Sequence, residues 1–210
     1  MNEEDALRWG LLAGLLAVFP IIAYHRIKAH RAGDPLDRLQ EGLFILATLR
    51  PAAIVFFVSV ALYLVNPARM AWSAVALPGW VRWSGIGLIA AAGALLFWTL
   101  RSLGANLTDT VVTRKAHTLV VKGPYRWVRH PFYDTIALLM IAISLVAANW
   151  FMLVTGAIVF TLLAVRVERE EERLVARFGD DYRGYMARTN RFLPTVRARF
   201  NSNGDGHEHP

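Results

Sequence analysis

The stretch FYDTIALLMIAISLVAANWFMLVTGAIVFTLLAV, residues 132–165, is apolar almost throughout and is interrupted near its middle by Asn149 and Trp150. A helix rises about 1.5 Å per residue, so ~20 apolar residues cross ~30 Å of hydrocarbon, and this run is longer than one crossing requires. A polar turn residue beside an aromatic that favours the membrane interface marks a reversal. The stretch therefore predicts a tight hairpin of two short transmembrane helices. Working toward the N-terminus, residues 81–103 and 43–65 each form a further apolar run of spanning length, and 7–24 forms another. The last is preceded by Glu3, Glu4 and Asp5 and lacks a small-residue cleavage site before the next charges, so it reads as a retained span. The expectation is an all-α integral membrane helical bundle of about five transmembrane helices.

Composition agrees. Hydrophobic residues make up 55% of the 210, too many for an ordinary soluble fold of this length, and this points to lipid as the solvent. No cysteine is present, which excludes disulfides, thiolate metal sites, a cysteine nucleophile and lipidation of this chain on cysteine. The net charge of +7 does not signal nucleic acid, because Lys and Arg lie between apolar runs and not on one basic face; membrane lipids of an anionic leaflet are their natural partners. Their distribution also orients the chain. Arg26, Lys28, Arg31 and Arg38 follow the first span, Arg114, Lys115, Lys122, Arg126 and Arg129 follow the third, and Arg166, Arg169, Arg173 and Arg177 follow the fifth. The other side holds Arg69, with Arg82 at its edge. A multi-pass chain with its N-terminus outside and its C-terminus in the cytoplasm satisfies every loop.

After Val165 the pattern changes from continuously apolar to amphipathic, with Leu174, Phe178, Tyr182 and Tyr185 near helical spacing among charges. This predicts a cytoplasmic-side amphipathic helix at the membrane surface, interrupted at Gly179 and stopped before Pro194. Residues 201–210 are polar and glycine-containing and read as a disordered tail. His207 and His209 within it are too few ligands for a metal site, so no metal is expected. The organisation predicted is three N-terminal spans over 1–103, a core over 104–200 containing a loop, the helical hairpin and the C-terminal helix, and the tail.

Between the third span and the hairpin, residues 117–133 read HTLVVKGPYRWVRHPFY. A plain connector needs only a few turn residues, whereas this one concentrates histidines, arginines and hydrogen-bonding aromatics. The plainer reading is a basic interfacial anchor in which Arg126 and Arg129 reach phosphates and Trp127 sits among headgroups. The alternative is a site, and it gains weight from the charged run RVEREEERLVARFGDDYRGY at 166–185, which begins where an apolar span ends. Arg166 and Glu170 are four apart and share a helix face. An ordinary surface ion pair is worth a few tenths of a kcal/mol, but ionisable groups at the hydrocarbon boundary are functional candidates by default.

These two segments together resemble the isoprenylcysteine carboxyl methyltransferase family. Its pattern of His-x-Leu-Val, Gly-x-Tyr and Arg-His-Pro-x-Tyr, followed one hairpin later by Arg-x-x-x-Glu-Glu-x-x-Leu-x-x-x-Phe-Gly-x-x-Tyr-x-x-Tyr, is matched in order and spacing over roughly 103–194. One departure is visible, since the family commonly has glycine two residues after the Arg-His-Pro-x-Tyr tyrosine and here Asp134 and Thr135 follow. Thr replaces Gly on a helix face if no backbone presses against it.

The resemblance implies S-adenosyl-L-methionine as cofactor, with His117, Thr118, Leu119, Val120, Tyr125, His130, Pro131, Phe132, Tyr133 and Glu170 lining its site and Arg166 facing the methyl acceptor. The residue chemistry agrees: Glu170 suits an ammonium or ribose hydroxyls, His130 or Arg129 a carboxylate, and Leu119, Val120 and Phe132 an adenine. Arg166 and Glu170 are thus the expected catalytic residues. No Gly-x-Gly-x-x-Gly follows a strand, so cofactor binding must come from the loop and the helix that folds over it. The acceptor implied is an isoprenylcysteine-like lipophilic carboxylate entering from the bilayer. Arg50, followed about two turns into the second span by Pro51, which would disturb the helix there and leave polar backbone available, either serves that route or snorkels to the nearby surface. Two other readings stay open: a phospholipid amine or small thiol as acceptor on the same fold, and a non-catalytic membrane scaffold.

Overall fold

The computed structural model describes residues 2–31, 45–103 and 119–194. Six α-helices account for most of them: α1 (Glu3–Arg31), α2 (Arg50–Val65), α3 (Gly79–Leu103), α4 (Pro131–Ala147), α5 (Trp150–Phe178) and α6 (Asp180–Arg188). Four of these, α1, α2, α3 and α5, contain apolar stretches long enough to cross a membrane. The apolar α4, at 17 residues, reaches roughly 25 Å and is paired with α5 as the hairpin. The bundle is that of an integral membrane protein.

The reversal between α4 and α5 falls at Ala148 and Asn149. Ala148 adopts a left-handed conformation with φ 46°, and Asn149 caps α5 by accepting from the Met152 amide at 3.0 Å. The Asn149 amide group also donates to Ser73 Oγ at 2.7 Å and to the Met70 carbonyl at 3.3 Å, fixing the hairpin tip in the 3₁₀ segment Pro67–Ser73. The second member of the hairpin is not short. α5 continues without a break from the membrane through the charged run to Phe178, because no helix-breaking residue follows Val165 until Gly179. That glycine takes φ 56° and redirects the chain into α6. Pro51 follows closely on a π-helical turn over Ile45–Leu49 that runs into α2, the kind of local adjustment that accommodates a residue with no amide proton inside a membrane helix.

The most extensive helix contact among the described residues is between α3 and α4. A Cβ on Gly85 would lie 2.7 Å from Val146 Cγ2 and 2.8 Å from the Ala142 carbonyl oxygen, and the carbonyl cannot retreat unless α4 moves. We expect Gly85→Ala to destabilise the bundle by about 1–3 kcal/mol, the usual range for overpacking. The comparison is Gly87→Ala on the same helix, where a Cβ would meet nothing within 4 Å. Thermal unfolding in detergent should lower the midpoint for the first variant and leave the second near the parent.

At the end of the bundle where α1 begins, four helices are tied by charge. Arg82 of α3 meets Glu4 of α1 through both guanidinium ends, at 2.7 and 3.1 Å, and also bonds Tyr63 of α2 at 3.1 Å and the Val146 carbonyl of α4 at 2.9 Å. Arg8 pairs with Asp5 and donates to the carbonyls of Leu64 and Val65, which end α2. A cavity of about 330 Å³ opens here beside Glu4, Tyr63, Arg82 and Asn149. Its acid and base already neutralise one another. The loop and charged helix singled out from the sequence lie at the opposite end.

Candidate active site

The loop preceding α4 is shaped by its own residues. Gly123 takes φ 63°, a conformation open to glycine, and a Cβ there would strike Ser102 Oγ and the Trp98 indole of α3. The chain then makes a 3₁₀ turn over Gly123–Arg126, buries Pro124 and Tyr125, and enters α4 at Pro131, a residue suited to the first helical turn. Arg126 stacks 4.1 Å above the Trp127 ring, and Trp127 packs edge-on against Trp98 with centroids 5.3 Å apart. Both Arg126 and Trp127 are exposed, which suits the interfacial anchor reading for this pair.

Arg129 behaves differently. Its side chain is 8% exposed and turns inward, with Nε donating to Glu171 Oε1 at 2.8 Å and Nη1 donating to the carbonyls of Met186 and Thr189. His130 is buried as well, its Nε2 lying 3.1 Å from the same Glu171 oxygen. Tyr133, one turn into α4, donates its hydroxyl to Glu170 Oε2 at 2.7 Å. Arg166 lies one turn before Glu170 and within electrostatic reach of the Tyr133 hydroxyl, as Glu170 is of Tyr125. The loop and the charged half of α5 thus close on each other at one end of the bundle.

Leu119 and Val120 lead into the loop half-buried, and Phe132 stands edge-on to Tyr133 while packing against the membrane core. Arg50 is exposed at the start of α2, a helix that packs along α5. His117 and Thr118 lie outside the described residues, as do His207 and His209. Thr135, at the position where the family commonly has glycine, is fully buried and donates its hydroxyl to the Pro131 carbonyl at 2.8 Å, so the extra polar atom is satisfied within its own helix.

Several participants carry no role in the sequence reading. The apolar face of α6 does not lie against lipid: Tyr182 and Tyr185 are buried, and the Tyr185 hydroxyl donates to the Tyr125 carbonyl. Burial pushes the phenols of Tyr125 and Tyr185 up; Glu170 adds to it at Tyr125, while at Tyr185 Arg129 opposes it and Glu171 adds to it, so both stay neutral. The segment following α6 runs beside the loop, with the Arg129 amide donating to the Asn190 carbonyl at 2.8 Å and the His130 amide to the Arg191 carbonyl at 3.0 Å. Phe192 then lies between His130 and Phe160 of α5, at 6.2 and 5.4 Å between ring centroids. The Tyr-x-x-Tyr spacing signalled the buried face of α6, but nothing local distinguished Arg191 from its neighbours.

Fold and site together define a multi-pass helical membrane protein with a charged site built at one end of its bundle from a loop and the extension of its last span. The family model of the isoprenylcysteine carboxyl methyltransferase (ICMT) family matches residues 85–176. The uncharacterized protein YpbQ of Bacillus subtilis is 30% identical over 125 residues, 58% of this chain and 68% of that protein. The protein-S-isoprenylcysteine O-methyltransferase of Mus musculus is 29% identical over 121 residues, 56% of this chain and 43% of the mouse protein. The chain therefore matches less than half the length of the mammalian relative. A solved structure of the eukaryotic intramembrane Ras methyltransferase ICMT superposes with a TM-score of 0.61 at 20% identity, covering 93% of this chain and 69% of that one, a likeness of fold. The chain belongs to the isoprenylcysteine carboxyl methyltransferase family.

Proposed function

We propose that the protein is a membrane-embedded, S-adenosylmethionine-dependent methyltransferase that O-methylates the carboxylate of an isoprenylcysteine-like lipophilic acceptor, with its catalytic core in residues 104–200. The observation that carries this reading is the closure of the Arg-His-Pro-x-Tyr loop onto the Glu-Glu pair of α5, given by the 2.7 Å bond from Tyr133 to Glu170 and the 3.1 Å approach of His130 to Glu171. The residues present fit the cofactor: an anionic Glu170 for its ammonium or ribose hydroxyls, and Leu119, Val120 and Phe132 for the adenine. His117, Thr118, Tyr125, His130 and Pro131 complete the set by their place in the motif. Arg129 braces the loop through Nε and Nη1, which engage Glu171 and two carbonyls, beside the cofactor carboxylate role that its place in the motif gives it.

When bound, the cofactor supplies a methyl group already activated on a sulfonium, so no covalent intermediate on a side chain is required. The task left to the chain is to align the acceptor and exclude water. Tyr133 fixes the rotamer of Glu170 through its hydroxyl. Arg166, on the same face of α5, holds the acceptor carboxylate by one edge of its guanidinium, since a symmetric clamp would blunt the nucleophile. A carboxylate is ionised at neutral pH and needs no base. The lipid tail stays in the bilayer alongside α5 and α2, with Arg50 at the mouth of that route. The site faces the cytoplasm and the N-terminus lies outside, as the Lys and Arg bias requires.

An amine or thiol acceptor would need a base. Glu171 is a poor one, because both of its oxygens are held by cations, Oε1 by Arg129 and Oε2 by Arg191. That arrangement leaves Glu170, which accepts from the neutral Tyr133 hydroxyl, as the base such an acceptor would have to use. The test is transfer from labelled S-adenosylmethionine by the purified protein to a farnesylcysteine analogue, phosphatidylethanolamine and a small thiol between about pH 6 and 9. We expect methylation of the carboxylate acceptor at a rate nearly flat near neutrality. A rate climbing about tenfold per pH unit on the amine or thiol alone would reassign the acceptor, and absence of cofactor binding would leave a scaffold.

A further inference from the structure

Glu171 is the most buried carboxylate of the site, with its side chain 4% exposed, yet it sits on a different face of α5 from Glu170, since adjacent helical residues diverge by about 100°. Each of its oxygens has an assigned partner. Oε1 faces Arg129 Nε at 2.8 Å and His130 Nε2 at 3.1 Å, and Oε2 accepts from Arg191 Nε at 2.9 Å. Arg191 belongs to the chain after α6, whose carbonyls at Asn190 and Arg191 receive the amides of Arg129 and His130. The loop is thus held twice by one segment, through main chain directly and through the Arg191 guanidinium by way of Glu171.

We infer that Arg191 and Glu171 form a positioning pair that sets the cofactor affinity of the loop, an inference that rests on the methyltransferase reading above. Beyond Glu171, Arg191 reaches the exposed Glu168 with its guanidinium at 3.4 Å. Its side chain pins the one carboxylate that holds the His130 ring, and the His130–Tyr133 stack, 5.7 Å between centroids, passes that constraint to the residue that orients Glu170. Without Arg191, Oε2 of a buried carboxylate loses its counter-charge, and the side chain is held on one oxygen only, by Arg129 and His130 at Oε1. Groups that bind a ligand keep their geometry only when the residues behind them are locked. The Arg191 side chain is itself 40% exposed, so truncating it opens no core cavity.

The experiment measures cofactor dissociation constant, KM and kcat for the full-length protein in nanodiscs, with the farnesylcysteine analogue as acceptor. For Arg191→Ala we expect the dissociation constant and KM for S-adenosylmethionine to rise about tenfold while kcat changes by less than about twofold. Arg191→Lys, which keeps the charge, should recover most of that loss. Arg183→Ala removes an exposed pair with Asp180 on α6 and should match the parent. An unchanged KM in Arg191→Ala, a kcat loss proportional to lost folded protein at constant KM, or failure of both Arg191 variants to fold would each overturn the inference. Parent protein that binds no S-adenosylmethionine would instead overturn the reading beneath it, and the parent arm separates the two cases.

Discussion

Glu170→Ala is expected to lower kcat/KM for methyl transfer by about a hundredfold, nearly all of it through the affinity for S-adenosylmethionine. Glu170 is half-buried at the point where α5 leaves the hydrocarbon, and among the described residues its hydrogen bonding is to Tyr133 alone, through Oε2. A hydrogen bond to a charged group contributes about 1.5–3 kcal/mol, and every 1.4 kcal/mol is tenfold, so losing one such contact to an ammonium or to ribose hydroxyls accounts for ten- to hundredfold. Alanine also strands the buried Tyr133 hydroxyl without its acceptor, which moves the effect to the upper end. Glu170→Gln keeps the acceptor for Tyr133 and removes only the charge, and should cost about tenfold. Equilibrium binding of labelled cofactor would check both, with exposed Glu172→Ala alongside. Parent affinity in Glu170→Ala would remove this carboxylate from the site.

The second large effect is expected at Arg166, on the acceptor side. Arg166→Ala should reduce kcat/KM for the farnesylcysteine analogue by about 10²–10³-fold and leave the KM for S-adenosylmethionine within about threefold. The Nε of Arg166 is buried, and the residue lies one turn from Glu170 within reach of Tyr133, which places a cation beside the proposed methyl donor at the membrane boundary. Truncating one partner of a desolvated charge pair costs about 2–5 kcal/mol. Arg166→Lys should recover only part of the activity, because an ammonium provides a point charge where a planar fork orients a carboxylate by its edge. Steady-state kinetics with each substrate varied in turn distinguishes the two sides of the site. Undiminished transfer in both variants would exclude Arg166 from it.

Much of this could be read along the chain. The apolar runs, the break at Asn149, the interruption at Gly179 and the shared face of Arg166 and Glu170 are all local properties: they follow from transfer free energy, turn preference and helical period, none of which requires a distant partner. The pairing of the loop with the charged helix was legible as well, through two motifs with fixed internal spacing. Less legible was what each charge in the loop does. Arg126 and Arg129 look alike in sequence, yet one stacks on an exposed Trp127 and the other is buried against Glu171. The same ambiguity hid the partner of α6, whose tyrosine face seals the loop where an amphipathic pattern equally fits lipid.

By itself, then, the sequence determined a multi-pass helical bundle and the two segments that carry chemistry, because burial in hydrocarbon and helical spacing are decided residue by residue. Tertiary structure alone decided that Glu171 joins Arg129, His130 and Arg191, and that Glu4 neutralises Arg82 at the other end of the bundle. These pairs are separated by tens of residues, and a hydrogen-bonded ion pair forms only where its atoms approach within about 4 Å. Which of many possible partners meet is therefore set by the angles at which the helices pack, a quantity no local stretch of sequence contains.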